Sequence, residues 1–184
     1  TGTGGLNNYG LLNFVGGSQV LSGTGTIVFG PQSSNELEFS GTQVTDTLTI
    51  GSGVTIDGQN GLIASSCGLV NDGTIDASVP GRLTINVAAL TNNGSFEAQN
   101  GGTLYVETGL TNSSAGTLTG GTWLAGANSI LELTTDSPVS TNAADIVYDG
   151  PGATILTGTN ANTDLQTTFT VNASGGTMAV AGGA

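Results

Sequence analysis

The sequence has almost no basic residues: it contains no histidine, no lysine and a single arginine, Arg82. Thirteen acidic residues set against this arginine give a formal net charge of −12. Without histidine or lysine the chain has no imidazole base, no Ser–His catalytic pair, no Schiff-base amine and no Walker-type phosphate loop. Nucleic-acid binding and binding to an anionic membrane surface are excluded as well, because both need basic side chains against phosphates.

Cysteine and long apolar runs are also scarce. The single cysteine, Cys67, excludes an internal disulfide and the usual His/Cys zinc sites. We expect it at or near the core, with an intermolecular disulfide as the alternative. No apolar run approaches the roughly 20 residues of a spanning helix, so we expect no membrane insertion. No signal peptide is recognisable and both termini interrupt the pattern, so we expect a segment of a larger secreted protein.

What the sequence does contain is a repeat. The stretch 69–77 (LVNDGTIDA) recurs as 90–98 (LTNNGSFEA), with Leu, Asn, Gly and an apolar residue at the same spacing. Further copies begin at Leu110 and at Leu6. A period near 20 residues, built from short alternating runs and Gly/Asn turns, is typical of a chain wound into stacked coils.

The repeat predicts an all-β fold, a parallel β-helix (β-solenoid) with coils of about 20 residues and no significant helix. At that period the chain would form about nine coils. Residues 1–184 are expected to be a single solenoid segment. Within it, 134–152 is expected to be an irregular coil or loop, because Pro138 and Pro151 cannot donate to a central ladder.

The spacing of the repeat also predicts the positions of individual side chains. Apolar residues at period two point into the coil and the intervening polar residues point outward. Gly and Asn are expected at corners that need a left-handed backbone. Stacking of equivalent coils would then align four asparagines in a structural ladder: Asn8, Asn71, Asn92 and Asn112.

With these Asn-x-Gly repeats, the chain resembles the β-helical passenger and adhesin segments of large bacterial surface proteins, of the autotransporter and filamentous-haemagglutinin type. The resemblance covers about residues 1–133. It implies a secreted, extracellular or cell-surface location and a stalk or adhesive role without a cofactor. It supplies no binding residues that could be transferred to this chain.

Because the chain has no histidine, no lysine and only one cysteine, carboxylate chemistry is the catalytic chemistry that remains. Glycoside hydrolysis needs two acidic groups that face one substrate. The candidate pairs are Glu36 with Glu38, Asp72 with Asp76 and Asp145 with Asp149. Solvated strand faces explain these acids better than catalysis, because acidic faces also promote solubility. We therefore expect no enzyme.

Two weaker candidate sites concern ligands. The run that contains Asn71, Asp72 and Asp76 alternates oxygen ligands around a glycine, as in a Ca²⁺ loop, but it lacks the bidentate glutamate and the length of an EF-hand. Trp123 and Tyr105 are the candidate aromatic contacts for a glycan, although core packing explains both more simply.

The leading hypothesis from the sequence is a non-enzymatic extracellular structural or adhesive solenoid. It would act as a stalk, or as a filament subunit that self-associates end to end by strand pairing. The alternatives are a module that binds cell-surface or matrix glycans and, less favoured, a β-helical glycoside hydrolase. No cofactor is expected apart from a candidate role for Ca²⁺.

Overall fold

The computed structural model describes residues 9–182 and has the predicted architecture. The chain is an all-β parallel β-solenoid of about 6 turns with coils of about 24 residues, and only 2% of it is helix. The central coils repeat as expected, since Leu69 pairs with Leu90 and Leu83 with Leu104, each 21 positions later. Insertions lengthen other coils, so there are fewer turns than the nine expected.

The strands form two sheets that face each other across the core. Sheet A has ten strands: β1 (Leu11–Gly16), β2 (Gln19–Leu21), β4 (Glu36–Gly41), β5 (Thr47–Ile50), β7 (Gly61–Asn71), β9 (Gly81–Asn92), β11 (Gly102–Leu110), β14 (Ile130–Leu133), β16 (Thr154–Thr157) and β17 (Thr163–Asp164). Sheet B has nine strands: β3 (Gly25–Phe29), β6 (Val54–Gly58), β8 (Thr74–Ala77), β10 (Ser95–Ala98), β12 (Ser113–Ser114), β13 (Thr117–Gly126), β15 (Thr141–Asp149), β18 (Val171–Asn172) and β19 (Thr177–Ala181). All pairings are parallel except β12 with β13 and β16 with β17.

The core consists of apolar columns that run from coil to coil. In sheet B the pairing aligns Ile56, Ile75, Phe96, Trp123 and Ile146, all of them fully buried. Each buried side chain of this kind contributes about 1.5–3 kcal/mol. The period-two alternation in the sequence therefore stabilises the coils through one continuous core.

The glycines of the Asn-x-Gly repeat have a different role from the one expected. Neither Gly73 nor Gly94 has a positive φ angle. A Cβ atom on Gly94 would instead collide with the carbonyl oxygen of Gly73 in the preceding coil, and one on Gly73 with that of Val54. Glycine is required here because successive corners stack with their backbones in direct contact.

One segment differs from the sequence-based expectation. Inside 134–152, indicated as irregular, β15 occupies Thr141–Asp149 and continues sheet B, with Ile146 paired to Trp123. The prolines lie outside this strand, so they do not interrupt its ladder. Close to the end of the chain lies a one-turn helix, α1 (Leu165–Thr168), and the Asp164 side chain caps it by accepting a hydrogen bond from Gln166 N.

Candidate functional site

Three of the four predicted ladder asparagines lie in contact inside the solenoid. Asn71 Nδ2 donates to Asn92 Oδ1 (2.8 Å), Asn92 N donates to Asn112 Oδ1 (2.7 Å), and Asn112 Nδ2 donates to Asn92 O (3.0 Å). Asn8 lies outside the described residues. The strand that follows it, β1, belongs to sheet A, whereas the strands that follow Asn71 and Asn92 belong to sheet B.

The asparagines also bond to the next coil of sheet B. Asn71 Nδ2 donates to Ser95 O (3.1 Å) and Asn92 Nδ2 to Thr122 O (3.2 Å). A fourth buried asparagine, Asn142, makes the equivalent bond to Thr177 O (2.7 Å). Sequence reasoning missed Asn142 because it lies in the stretch expected to be irregular. These bonds satisfy the buried side-chain amide groups of the four asparagines except for Asn71 Oδ1, which is buried without a hydrogen-bond partner.

The candidate calcium ligands are not brought together. Asn71 points into the core, while Asp72 is exposed at a corner and accepts a hydrogen bond from Asn93 Nδ2 (2.9 Å). Asp76 lies on the outer face of β8, in a different cluster. Across residues 9–182, no group of three or more His, Cys, Asp or Glu side chains is placed to hold a metal ion.

The cluster that contains Asp76 is a column of three carboxylates on sheet B, which we call the acid column. Asp57 on β6 pairs with Asp76 on β8, which pairs with Glu97 on β10. Neighbouring parallel strands lie about 4.8 Å apart, so like charges of successive coils are stacked directly. The signal was present in the sequence, since each acid follows a Thr/Ser and an apolar residue after a turn, but it emerges only with the coil register.

Asp76, the central member of the acid column, has a strongly raised pKa. Burial first, and then the charges of Glu97 and Asp57, raise the pKa of Asp76 from 3.8 to about 7, against a hydrogen bond from Gln99 that lowers it. Gln99 Nε2 lies 3.0 Å from Asp76 Oδ2 and 2.6 Å from Glu97 Oε2. Asp76 Oδ1 and Asp57 Oδ1 are buried without a hydrogen-bond partner. A proton on Asp76 would relieve both the repulsion and the missing bond.

The other candidate acid pairs do not form such a cluster. Glu36 and Glu38 lie two positions apart on the outer face of β4, as expected for a solvated strand face. Asp145 and Asp149 are exposed on β15, four positions apart along the strand. Neither pair gains a carboxylate partner from a neighbouring strand in the register.

The two aromatic candidates are placed differently. Trp123 is fully buried, packs edge-on against Phe96 with 5.3 Å between ring centroids, and donates its Nε1–H to Gly120 O (2.8 Å). It therefore cannot stack on a glycan. Tyr105 is half-buried on the outer face of sheet A, and the Arg82 guanidinium lies 4.1 Å from its ring centroid. Arg82 also pairs with Glu132 at 2.6 Å, so one cluster links three coils.

Two cavities lie at opposite ends of the described solenoid. The first, of about 390 Å³, is lined by end-coil residues that include Leu11, Leu12 and Ile27. The second, of about 270 Å³, is lined by Tyr148, Gln166, Phe169, Met178 and Val180. The acid column lines neither cavity. Large apolar side chains are exposed at both ends.

The edge strands at these ends are unprotected. Within residues 9–182, β3 pairs only with β6, and β19 pairs only with β15. Neither strand contains a charged residue or a proline, the usual protection of an exposed edge. The ends therefore have the features of strand-pairing surfaces.

The chain was compared with protein-family models, with known proteins and with solved structures, and no match was found. Among the helices of the described part of the chain, none is long and apolar enough to cross a membrane.

Proposed function

We propose that this chain is a non-enzymatic structural or adhesive rod, which forms a stalk or a filament subunit by pairing strands end to end. The observation that carries the proposal is the pair of edge strands, β3 and β19, which are uncharged and paired on one side only within residues 9–182. A parallel edge of this kind is a template for another strand. A head-to-tail contact that does not close into a ring propagates into a filament.

The fold supports the mechanical part of this proposal. Both sheets run continuously along the stack of coils, so bending the rod would strain many backbone hydrogen bonds at once. The asparagine contacts between coils add buried hydrogen bonds across the same gaps. A rod built in this way would transmit force along its axis, which is what a stalk or a filament requires.

The location and partners belong to the proposal as well. The resemblance to adhesin repeats supports a secreted, extracellular or cell-surface protein that associates with itself or with surface glycans. The acidic side chains from Glu36 to Asp164, which we call the acidic flank, oppose lateral clumping of rods through like-charge repulsion. We propose no resident cofactor, and loose binding of Ca²⁺ to the acidic flank as the means by which such clumping is modulated.

A glycoside hydrolase is the second candidate, and one observation favours it. The acid column stacks carboxylates of adjacent coils, and Asp76 has a raised pKa beside Asp57 and Glu97, as a general acid beside an ionised partner would. Screening polysaccharides for hydrolysis tests this role, with Asp76→Asn as the inactive control. Hydrolysis by the original chain that is lost in this variant would replace the structural proposal.

Negative-stain electron microscopy combined with sedimentation velocity tests the leading proposal. The purified chain would be examined from about 1 µM to 1 mM, the range that covers weak interfaces. Uniform filaments that lengthen with concentration are expected. Single short rods at every concentration, with and without Ca²⁺, would contradict filament formation.

A further inference from the structure

Sheet A and sheet B end differently at the C-terminal end of the rod. The last long strand of sheet A, β16, is covered by β17, which runs antiparallel to it, and α1 packs beside them with Leu165 buried. A further parallel strand could pair with β16 only if these segments moved. Sheet B has no such cover within the described residues, since β19 pairs with β15 alone.

The two edge strands of sheet B match each other in length and in alternation. Both β3 and β19 have five residues. In β19, Met178 and Val180 continue the inward columns of Ile146 and Tyr148. In β3, Ile27 and Phe29 begin the inward columns at the other end of the rod. A single register therefore places apolar residue against apolar residue on both columns.

The distribution of charge also favours contact between ends. The thirteen acidic residues and Arg82 all lie between Glu36 and Asp164. Two copies of a chain with a net charge of −12 repel each other along their flanks, whereas their end strands carry no charge. This segregation argues for a second copy of the chain as the occupant of the edges that stay unpaired within residues 9–182.

From these observations we infer that copies join through sheet B, with β19 of one copy parallel to β3 of the next; this inference rests on the proposed function. Met178 then packs against Ile27 of the next copy, and Val180 against Phe29. On the outer face, Ala179 lies beside Val28. The apolar side chains at the first end, Ile27 and Leu12, lie over the cavity lined by Tyr148, Phe169 and Met178.

The cavity at the second end contains a buried hydroxyl group, that of Tyr148, which the contact between β19 and β3 of the next copy would affect. Tyr148 is 2% exposed and its hydroxyl group has no hydrogen-bond partner. Burial, and then the nearby Asp164 charge, raise the pKa of Tyr148, while the neighbouring Gln166 side chain lowers it; on balance the group stays a neutral donor. A buried unpaired hydroxyl destabilises an isolated chain. The approaching end coil brings backbone carbonyl groups to this cavity, which can accept the bond.

Disulfide trapping tests the register. The native Cys67 is buried, so it is first replaced as Cys67→Ser, which keeps a donor for Gln43 O. Val28→Cys and Ala179→Cys are then introduced together. Neighbouring parallel strands lie about 4.8 Å apart, within the Cα–Cα range that a disulfide spans. A ladder of covalent multimers is expected under oxidation, while each single variant stops at dimers.

A matched control moves one cysteine by two positions on the same face, combining Val28→Cys with Thr177→Cys. We expect at least a tenfold lower yield of multimers from this pair. Equal yields would overturn the register. Filaments of the unmodified chain without any trapped multimers would overturn this inference and leave the proposed function standing. An unmodified chain that stays monomeric at all concentrations would overturn both this inference and filament formation.

A charge on the edge provides an independent check. Val180→Asp places a carboxylate in the inward column of β19 and should abolish assembly. Val79→Asp, at an exposed apolar position on the flank, should leave assembly unchanged. Circular dichroism verifies that both variants keep the β-sheet signal. If the folded Val180→Asp variant assembles at the same concentration as the unmodified chain, the pairing of β19 with β3 is contradicted.

Discussion

Replacing Asp76 by asparagine is expected to stabilise the folded chain at pH 8 and to flatten its dependence on pH. In the folded state the pKa of Asp76 is raised from 3.8 to about 7 by burial, by Glu97 and by Asp57. Between these two values the folded chain holds more protons at this site than the unfolded chain. Its stability therefore falls as the pH rises from about 4 to about 7, and stays level above that.

The magnitude follows from the size of the shift. A change from 3.8 to about 7 would correspond to roughly 4 kcal/mol at full strength, since one pKa unit is 1.36 kcal/mol. Solvent reaches part of this carboxyl group and screens it, so we expect about 1–2 kcal/mol. In Asp76→Asn the amide oxygen still accepts from Gln99, and the new N–H group can donate to the unpaired Asp57 Oδ1.

Urea unfolding, followed by the fluorescence of the buried Trp123 at pH 5 and pH 8, measures this effect. The window avoids Asp46 and Asp136, whose pKa values are lowered by hydrogen bonds and whose contributions are lost only at more acidic pH. The matched control is Asp72→Asn, which removes an exposed charge from the same coil. If both variants shift stability equally, or if Asp76→Asn keeps the original pH slope, the reasoning about the acid column is wrong.

Three further substitutions test the contacts between coils, each by the change in unfolding free energy. Asn92→Ala leaves buried partners unpaired and should lower the free energy of unfolding by about 2–4 kcal/mol. The control, Asn93→Ala at an exposed position, should lower it by less than about 1 kcal/mol. Equal losses would contradict the asparagine ladder. Gly94→Ala should cost more than about 2 kcal/mol because its methyl group meets the preceding corner, and a neutral effect would refute that close approach. Arg82→Met should cost less than about 1 kcal/mol, since the Arg82 side chain in the pair with Glu132 is 48% exposed, and a larger loss that persists in high salt would refute this view.

The period of the repeat was enough to predict the fold and the pairing of its central coils. Leu69 and Leu90 occupy equivalent positions in the sequence and pair in the structure, because parallel stacking places each residue over its counterpart one period later. The prediction became inaccurate where insertions change the period. Phe96 pairs with Trp123, 27 positions later, because a hairpin between β12 and the start of β13 (Thr117 and Leu118) is inserted between them.

The candidate sites depended on register more than on residue type, so they were harder to predict. Asp72 and Asp76 are close in sequence, yet one lies at a corner and the other on a strand face. Asp57, Asp76 and Glu97 are about 20 positions apart and form a column, because a solenoid brings residues one coil apart together. The cavity beside Tyr148 could not be inferred, since it depends on how α1 packs against the last coil.

The charged groups of this rod are not the groups that hold its coils together. This difference determines how the stability and the assembly of the rod respond to salt. The coils are held by apolar columns, backbone ladders and buried amides, which ionic strength affects little. The acidic flank opposes both compact folding and the approach of a second copy. Salt screens that repulsion, with a Debye length of about 8 Å at 0.15 M. Added salt should therefore stabilise the single rod and strengthen end-to-end assembly together, whereas a contact built on ion pairs would weaken.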